Sequence, residues 1–118
     1  MQRIVHLERE SIIADVRRPA FAHDWIEYAK TAPEQVIERL QGASIAIINK
    51  VPLPAAAVDA LADLKMVAVA ATGTNIVDLD ACRRRGIVVS NIRGYAEHTV
   101  PEHALALLLA LSRNLIAW

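Results

Sequence analysis

Apolar residues fall along the chain in short blocks, each closed by a polar, proline or glycine break. Residues 4–7 form a first block and predict a strand. Residues 11–24 show no period and predict no element. Residues 25–28 join aromatic to β-branched side chains and predict a second strand. Thr31 and Glu34 then have the spacing of a capping box, with Pro33 in the first turn and Gly42 after the last. This frames a helix over about 33–41, with Val36, Ile37 and Leu40 on one face. Residues 44–49 are continuously apolar between polar ends, so both faces of that strand should be covered, as in a parallel sheet. Pro52 and Pro54 break the chain, and a helix follows over 55–64. Residues 66–71 predict another two-sided strand, and 87–89 a further one. Between them Asp78 caps a helix that closes at Gly86. Strands alternating with helices imply right-handed crossovers and an α/β fold with a doubly wound parallel sheet.

The last block differs. Residues 99–116 predict one helix, with Pro101 tolerated in its first turn. At about 100° per residue, Leu105, Leu107, Leu108, Leu109 and Leu111 spread over roughly 200°, twice the apolar stripe of an ordinary surface helix. One sheet face cannot cover that arc. Two leucines left in water forgo about 3–6 kcal/mol of burial, a large share of a stability of about 5–15 kcal/mol. The helix therefore calls for a second partner, another domain or another subunit, and Ala106 and Ala110 permit close approach.

Length and charge narrow the function classes. A chain of 118 residues is enough for one domain with a real core. Its 13 basic and 13 acidic side chains balance, as they do within each half: 7 against 8 in residues 1–59 and 6 against 5 in 60–118. Neither half carries the basic field that nucleic acid or an anionic membrane demands. The first ten residues are charged and hold no apolar leader segment. The longest apolar run, residues 104–111, is far short of the roughly 20 residues of a bilayer span. A cytoplasmic protein is the expectation. Cys82 is the single cysteine, which excludes an internal disulfide or a multi-cysteine zinc site.

Candidate chemistry is sparse. Ligands of an open α/β sheet sit beyond the carboxyl ends of its strands. Two loops qualify, Asn49-Lys50-Val51 and Thr72-Gly73-Thr74-Asn75. Gly73 would let the backbone bend and approach a ligand, and its neighbours offer N–H and hydroxyl groups suited to a carboxylate or phosphate. Lys50 would add positive charge at the same rim. The competing reading makes Gly73 a turn glycine and Lys50 a solvated lysine. No two glycines have the spacing of G-x-G-x-x-G or a P-loop, and no G-x-S-x-G elbow occurs. His98 and Glu102 share a helical face, but two ligands do not make a metal site. His6 and His23 are isolated. Arg83, Arg84 and Arg85 beside Cys82 could lower its pKa, although a thiol on such a helix is usually inert and the arginine run reads as a solvated face or partner contact.

These residues resemble the N-terminal part of the D-isomer-specific 2-hydroxyacid dehydrogenases, in particular the glycerate dehydrogenase and hydroxypyruvate reductase branch. The resemblance rests on Ala46-Ile-Ile-Asn-Lys-Val51, Ala70-Ala-Thr-Gly-Thr-Asn75 with Val77-Asp78, Arg85-Gly-Ile-Val-Val-Ser-Asn91, and Thr99-Val-Pro-Glu-His103 leading into the leucine-rich helix. Ile76 departs from the pattern, since many relatives have asparagine there.

The resemblance implies two doubly wound domains around a cleft. Residues 1–98 would be the N-terminal part of a flavodoxin-like substrate domain. Residues 99–118 would be an interdomain and dimer helix, the first long helix of a Rossmann domain that the chain lacks. Amides around Thr72, Gly73 and Thr74 would hold a substrate carboxylate, Asn49 and Lys50 would line the same cleft, and Thr99 would lie near the cofactor. The family's glycine-rich loop and its catalytic arginine, glutamate and histidine would follow beyond the last residue, so His98 and His103 would not replace that histidine. The parent protein would use NAD or NADP to reduce a small 2-keto acid such as hydroxypyruvate or glyoxylate, as a homodimer through helix 99–116. The 118 residues alone would be an inactive fragment with no catalytic residue, no metal and no bound cofactor. A non-enzymatic ligand-binding or dimerisation module is the alternative. A receiver-like signalling domain fits less well, since it needs acidic residues at strand ends where Asn49, Thr72 and Ser90 stand.

Overall fold

The computed structural model describes residues 1–117; of the predicted 99–118 segment, Trp118 and the Ile116 side chain lie outside the described residues. Five strands form one parallel sheet: β1 (Gln2–His6), β2 (His23–Glu27), β3 (Ile45–Ile48), β4 (Met66–Val69) and β5 (Val88–Asn91), in the order β2-β1-β3-β4-β5. Every pairing is parallel, and a continuous row joins Ile4, Ile45, Met66 and Val88 across four strands. The links after β2, β3 and β4 carry α1 (Val36–Leu40), α2 (Ala55–Ala60) and α3 (Leu79–Arg84). Right-handed crossovers put these three helices on one face, where α1 touches α2 and α2 touches α3. The core lies between them and the sheet: Val5, Leu7, Ala46, Ile48, Val67 and Val69 pack toward Leu40, Val58, Ala81 and Cys82. The expected α/β fold with a doubly wound parallel sheet is the one observed.

Cover on the other face is thinner than the unbroken apolar runs predict. Ile45, Ile47, Met66 and Ala68 are only half-buried and Val88 is 61% exposed. The reason is the link from β1 to β2, which by handedness belongs on this face. It supplies one 3-10 turn, Arg9–Ser11, and otherwise irregular chain with bends. This is the stretch for which the sequence predicted no element.

Element ends follow local chemistry, with several shifts from the sequence reading. The capping pair sits one residue later than Thr31 and Glu34. Gln35 Oε1 accepts the Ala32 N–H at 3.0 Å, while the Thr31 hydroxyl turns away to donate to the Leu7 carbonyl. The helix expected over 33–41 divides into a 3-10 turn, Pro33–Gln35, and α1. Ile37 falls off the buried stripe of Val36 and Leu40 and is 38% exposed. The helix expected over 55–64 stops at Ala60. Asp78 caps α3 as predicted, its Oδ1 accepting the Ala81 N–H at 2.8 Å. Gly86 ends that helix at φ +66°, so the Gly86 N–H reaches the Arg83 carbonyl and the Ile87 N–H the Cys82 carbonyl, a Schellman closure that buries Ile87.

The leucine-rich helix α4 (Thr99–Ser112) ends sooner than expected, where Asn114 adopts φ +55° and a 3-10 turn, Leu115–Ala117, follows. None of its residues is buried. The radius of gyration is 18.0 Å, against the about 13–14 Å of a compact domain this size. Among the described residues, no helix is long and apolar enough to cross a membrane.

Candidate substrate-binding site

The carboxyl ends of β3 and β4 carry the two loops that the sequence singled out, and a small bridge clamps them together. Leu53 pairs with Val77: the Leu53 N–H donates to the Ile76 carbonyl at 2.8 Å, and the Asp78 N–H returns to the Leu53 carbonyl at 3.1 Å. Asp78 thus serves both the bridge and the start of α3, which ties the loops to rigid elements.

The loops differ in what their amides do. Around Asn49-Lys50-Val51 the three N–H groups all donate to Glu8 Oε2, at 2.8, 2.8 and 3.0 Å. Asn49 is half-buried and its Nδ2 donates to the Ser11 hydroxyl at 3.0 Å. Its amide group is thus spent on internal structure. Around Thr72-Gly73-Thr74, by contrast, none of the three amides donates a backbone hydrogen bond among the described residues. The Thr72 carbonyl is held from below by Asn91 Nδ2 at 2.7 Å. A seat with unspent donors on a braced backbone suits an incoming carboxylate.

The five predicted substrate residues share one rim but no single cavity. Asn49 lines a cleft with Ser11, Ala71, Ile92 and Tyr95. Lys50 is exposed in a neighbouring hollow with Glu8, Glu10 and Thr31. Gly73 and Thr74 line a third with Pro52, Asp78 and Arg83. Gly73 does not adopt a left-handed φ. A Cβ there would meet Asn75 Oδ1 at 3.1 Å, so its value is close approach rather than the conformational freedom expected of it. Thr99, the predicted cofactor contact, is exposed in the first turn of α4.

Three further groups settle as structural. Burial pushes the Cys82 thiol above its ordinary value, with Asp78 adding to it, so the arginine run does not activate it. One member of that run is not a solvated face: Arg85 reaches back to the carbonyls of Val58 and Asp59, both at 3.0 Å, and closes the end of α2. His6 is fully buried, with neither ring nitrogen bonded among the described residues. Burial holds its pKa below the ordinary value, assisted by Arg9 and opposed by Glu27 and Glu8. The contacts of Glu8, Asn91 and Arg85 escaped the sequence reading, because each acts on residues at least 19 positions away.

Comparison with known proteins supplies the family. The model of the D-isomer-specific 2-hydroxyacid dehydrogenase catalytic domain matches residues 6–114. The chain belongs to that family. It is 51% identical over 118 residues to the glycerate dehydrogenase of Methylorubrum extorquens, covering 99% of this chain and 38% of that protein. It is 37% identical over 84 residues to the hydroxypyruvate reductase of Blautia hydrogenotrophica, covering 71% of this chain and 26% of that one. The chain therefore spans less than two-fifths of these relatives. Among solved structures, an acyclic imino acid reductase in complex with NADPH and D-Arg superposes with a TM-score of 0.77 at 21% identity, over 98% of this chain and 39% of the other. The NAD-bound formate dehydrogenase of Staphylococcus aureus does so at 0.73 and 21%, over 98% and 40%. At that identity the likeness is one of fold.

The dinucleotides in those neighbours raise the question of fit here. The 118 residues contain four glycines, none spaced as a pyrophosphate loop, and the link from β5 to α4, residues 92–98, holds one glycine, Gly94. These residues do not make a dinucleotide cradle. What they do make is the braced, donor-rich rim at Thr72–Thr74.

Proposed function

We propose that these residues are the substrate-holding part of an NAD(P)-dependent oxidoreductase that reduces a small 2-keto acid, hydroxypyruvate or glyoxylate, to glycerate or glycolate. The observation that carries this reading is the 51% identity to a glycerate dehydrogenase along the whole chain. In this reading residues 1–98 form the N-terminal part of the substrate domain, and residues 99–118 open the cofactor domain. The backbone amides of Thr72, Gly73 and Thr74 receive the substrate carboxylate. Asn91 keeps that backbone still, Lys50 draws the anion to the rim, and Thr99 stands at the edge nearest the dinucleotide. Held by its carboxylate, the keto acid presents its carbonyl in a fixed orientation, which removes part of the entropic cost of reaction. The nicotinamide, when bound, supplies the hydride. No acid or base for the carbonyl oxygen is assigned among these residues. α4 serves as the interface of a homodimer.

The test is a spectrophotometric assay of the polypeptide expressed from its native gene, with NADH or NADPH and hydroxypyruvate, glyoxylate or pyruvate. Oxidation of one nucleotide with hydroxypyruvate or glyoxylate is expected, and none from residues 1–118 alone. No turnover with any 2-keto acid, together with retained binding of a 2-hydroxy acid, would instead favour a non-enzymatic ligand-binding module.

A further inference from the structure

A sheet of order β2-β1-β3-β4-β5 reverses its winding between β1 and β3, and that reversal opens a crevice at the carboxyl ends of the two strands. Here the crevice is already filled from within. Glu8 lies two residues past the end of β1, is 9% exposed, and directs its Oε2 at three successive amides: Asn49, Lys50 and Val51. Three N–H groups converging on one oxygen form an anion-binding concavity. Around it, the Ser11 hydroxyl donates to the Glu8 main-chain carbonyl at 2.7 Å and Asn49 Nδ2 donates to the Ser11 hydroxyl, so the Glu8 backbone is tied to the same loop.

We propose that Glu8 is a built-in anion and a positioning residue. It closes the crevice between β1 and β3 to the substrate, holds the Asn49–Val51 backbone, and leaves Thr72–Thr74 as the seat for the substrate carboxylate. The proposal rests on the reading that the native polypeptide handles a 2-keto acid. Charge-assisted hydrogen bonds are the strong ones. A free carboxylate must also displace a tethered one, whose effective concentration is at least millimolar. The amides of Asn49–Val51 are therefore out of reach of substrate while Glu8 is present. Those of Thr72–Thr74 have no such internal competitor among the described residues. Through the Leu53–Val77 bridge, the backbone that Glu8 holds also braces the second loop.

The variants Glu8→Ala and Glu8→Gln in the native polypeptide test this. Glu8→Ala empties the concavity, and KM for the keto acid is expected to rise about tenfold while kcat stays within about twofold. Acetate in the assay refills it and restores KM. Glu8→Gln keeps the concavity filled but uncharged, gives a smaller rise and does not respond to acetate. Amide hydrogen exchange at Asn49, Lys50 and Val51 accelerates in both variants and slows again with acetate in Glu8→Ala only. Unchanged KM and unchanged exchange in both variants would overturn the proposal, as would an acetate-insensitive Glu8→Ala. Should Glu8→Ala fail to fold, Glu8→Gln decides through KM and exchange. Should the wild-type protein turn over no 2-keto acid, the proposed function fails, and the exchange measurement still decides whether Glu8 is the internal anion.

Discussion

Asn91, the last residue of β5, donates its Nδ2 to the Thr72 carbonyl at 2.7 Å, tying the end of one strand to the loop that follows its neighbour. The tie orients the peptide plane between Thr72 and Gly73, and so the Gly73 N–H, one of the donors proposed for the substrate carboxylate. Arg93 Nε donates to Asn91 Oδ1 at 3.5 Å, which leaves Nδ2 turned toward Thr72. Asn91→Leu removes the donor and keeps the bulk. KM for the keto acid should rise about five- to tenfold, the loss of one hydrogen bond, with little change in melting temperature because Asn91 is only half-buried. Steady-state kinetics beside a thermal melt check this, and an unchanged KM would remove Asn91 from the site.

Arg85 predicts a stability effect without a kinetic one. Its guanidinium donates to the carbonyls of Val58 and Asp59 at 3.0 Å, where α2 ends without a glycine closure. Cations at a helix C-terminus also meet the dipole favourably. Arg85→Ala should cost about 1–2 kcal/mol. The exposed neighbour change Arg84→Ala should stay within about 0.5 kcal/mol. Chemical denaturation of the pair measures the contrast, and equal effects would show that Arg85 is only a surface charge.

Much of this architecture is visible in the chain itself, and the exceptions have a common cause. Strand positions follow from apolar blocks, and Asp78 and Gly86 announce the two ends of α3, because both signals act within a few residues. Glu8 and Asn49 are 41 positions apart, so no local spacing reveals that one carboxylate consumes the amides of a loop that otherwise resembles a ligand seat. The same holds for Asn91 and Thr72, 19 apart. Cover of the second sheet face was overestimated for a related reason. An apolar run says what a strand needs, and here the segment that should supply it, residues 7–22, is mostly irregular chain. The wide leucine arc of α4 was legible, since the demand for a partner is written in the helix alone.

His6 sets an acid limit on stability. Its pKa in the folded chain is lowered, first by burial, so the unfolded chain binds the proton more readily. Stability is then full above the unfolded value of about 6.5 and is lost as pH falls through and below it. One such group changes stability by at most about 1.4 kcal/mol per pH unit. Glu27, Glu8 and Arg9 act on the same imidazole, so the variant that isolates it is His6→Leu, which keeps an apolar side chain in the site. Melts between pH 5 and 7.5 should slope for the wild type and flatten for His6→Leu. Parallel slopes would assign the acid sensitivity to other groups.

The α4 helix gives a prediction about assembly. Leu105 and Leu108 are 56% and 64% exposed, one turn apart, while Leu107 and Leu111 form a second exposed pair at 49% and 75%. Burying one such leucine is worth about 1.5–3 kcal/mol, so a second copy covering both pairs gains enough to decide the association state. A charge at the centre of the stripe should reverse that. Leu108→Glu, read by light scattering on the native polypeptide, should shift a dimer to a monomer. His103→Glu, an exposed position on the side of the helix away from the leucine arc, should weaken the dimer far less. A protein that is monomeric before any substitution would show instead that these leucines are covered within one copy.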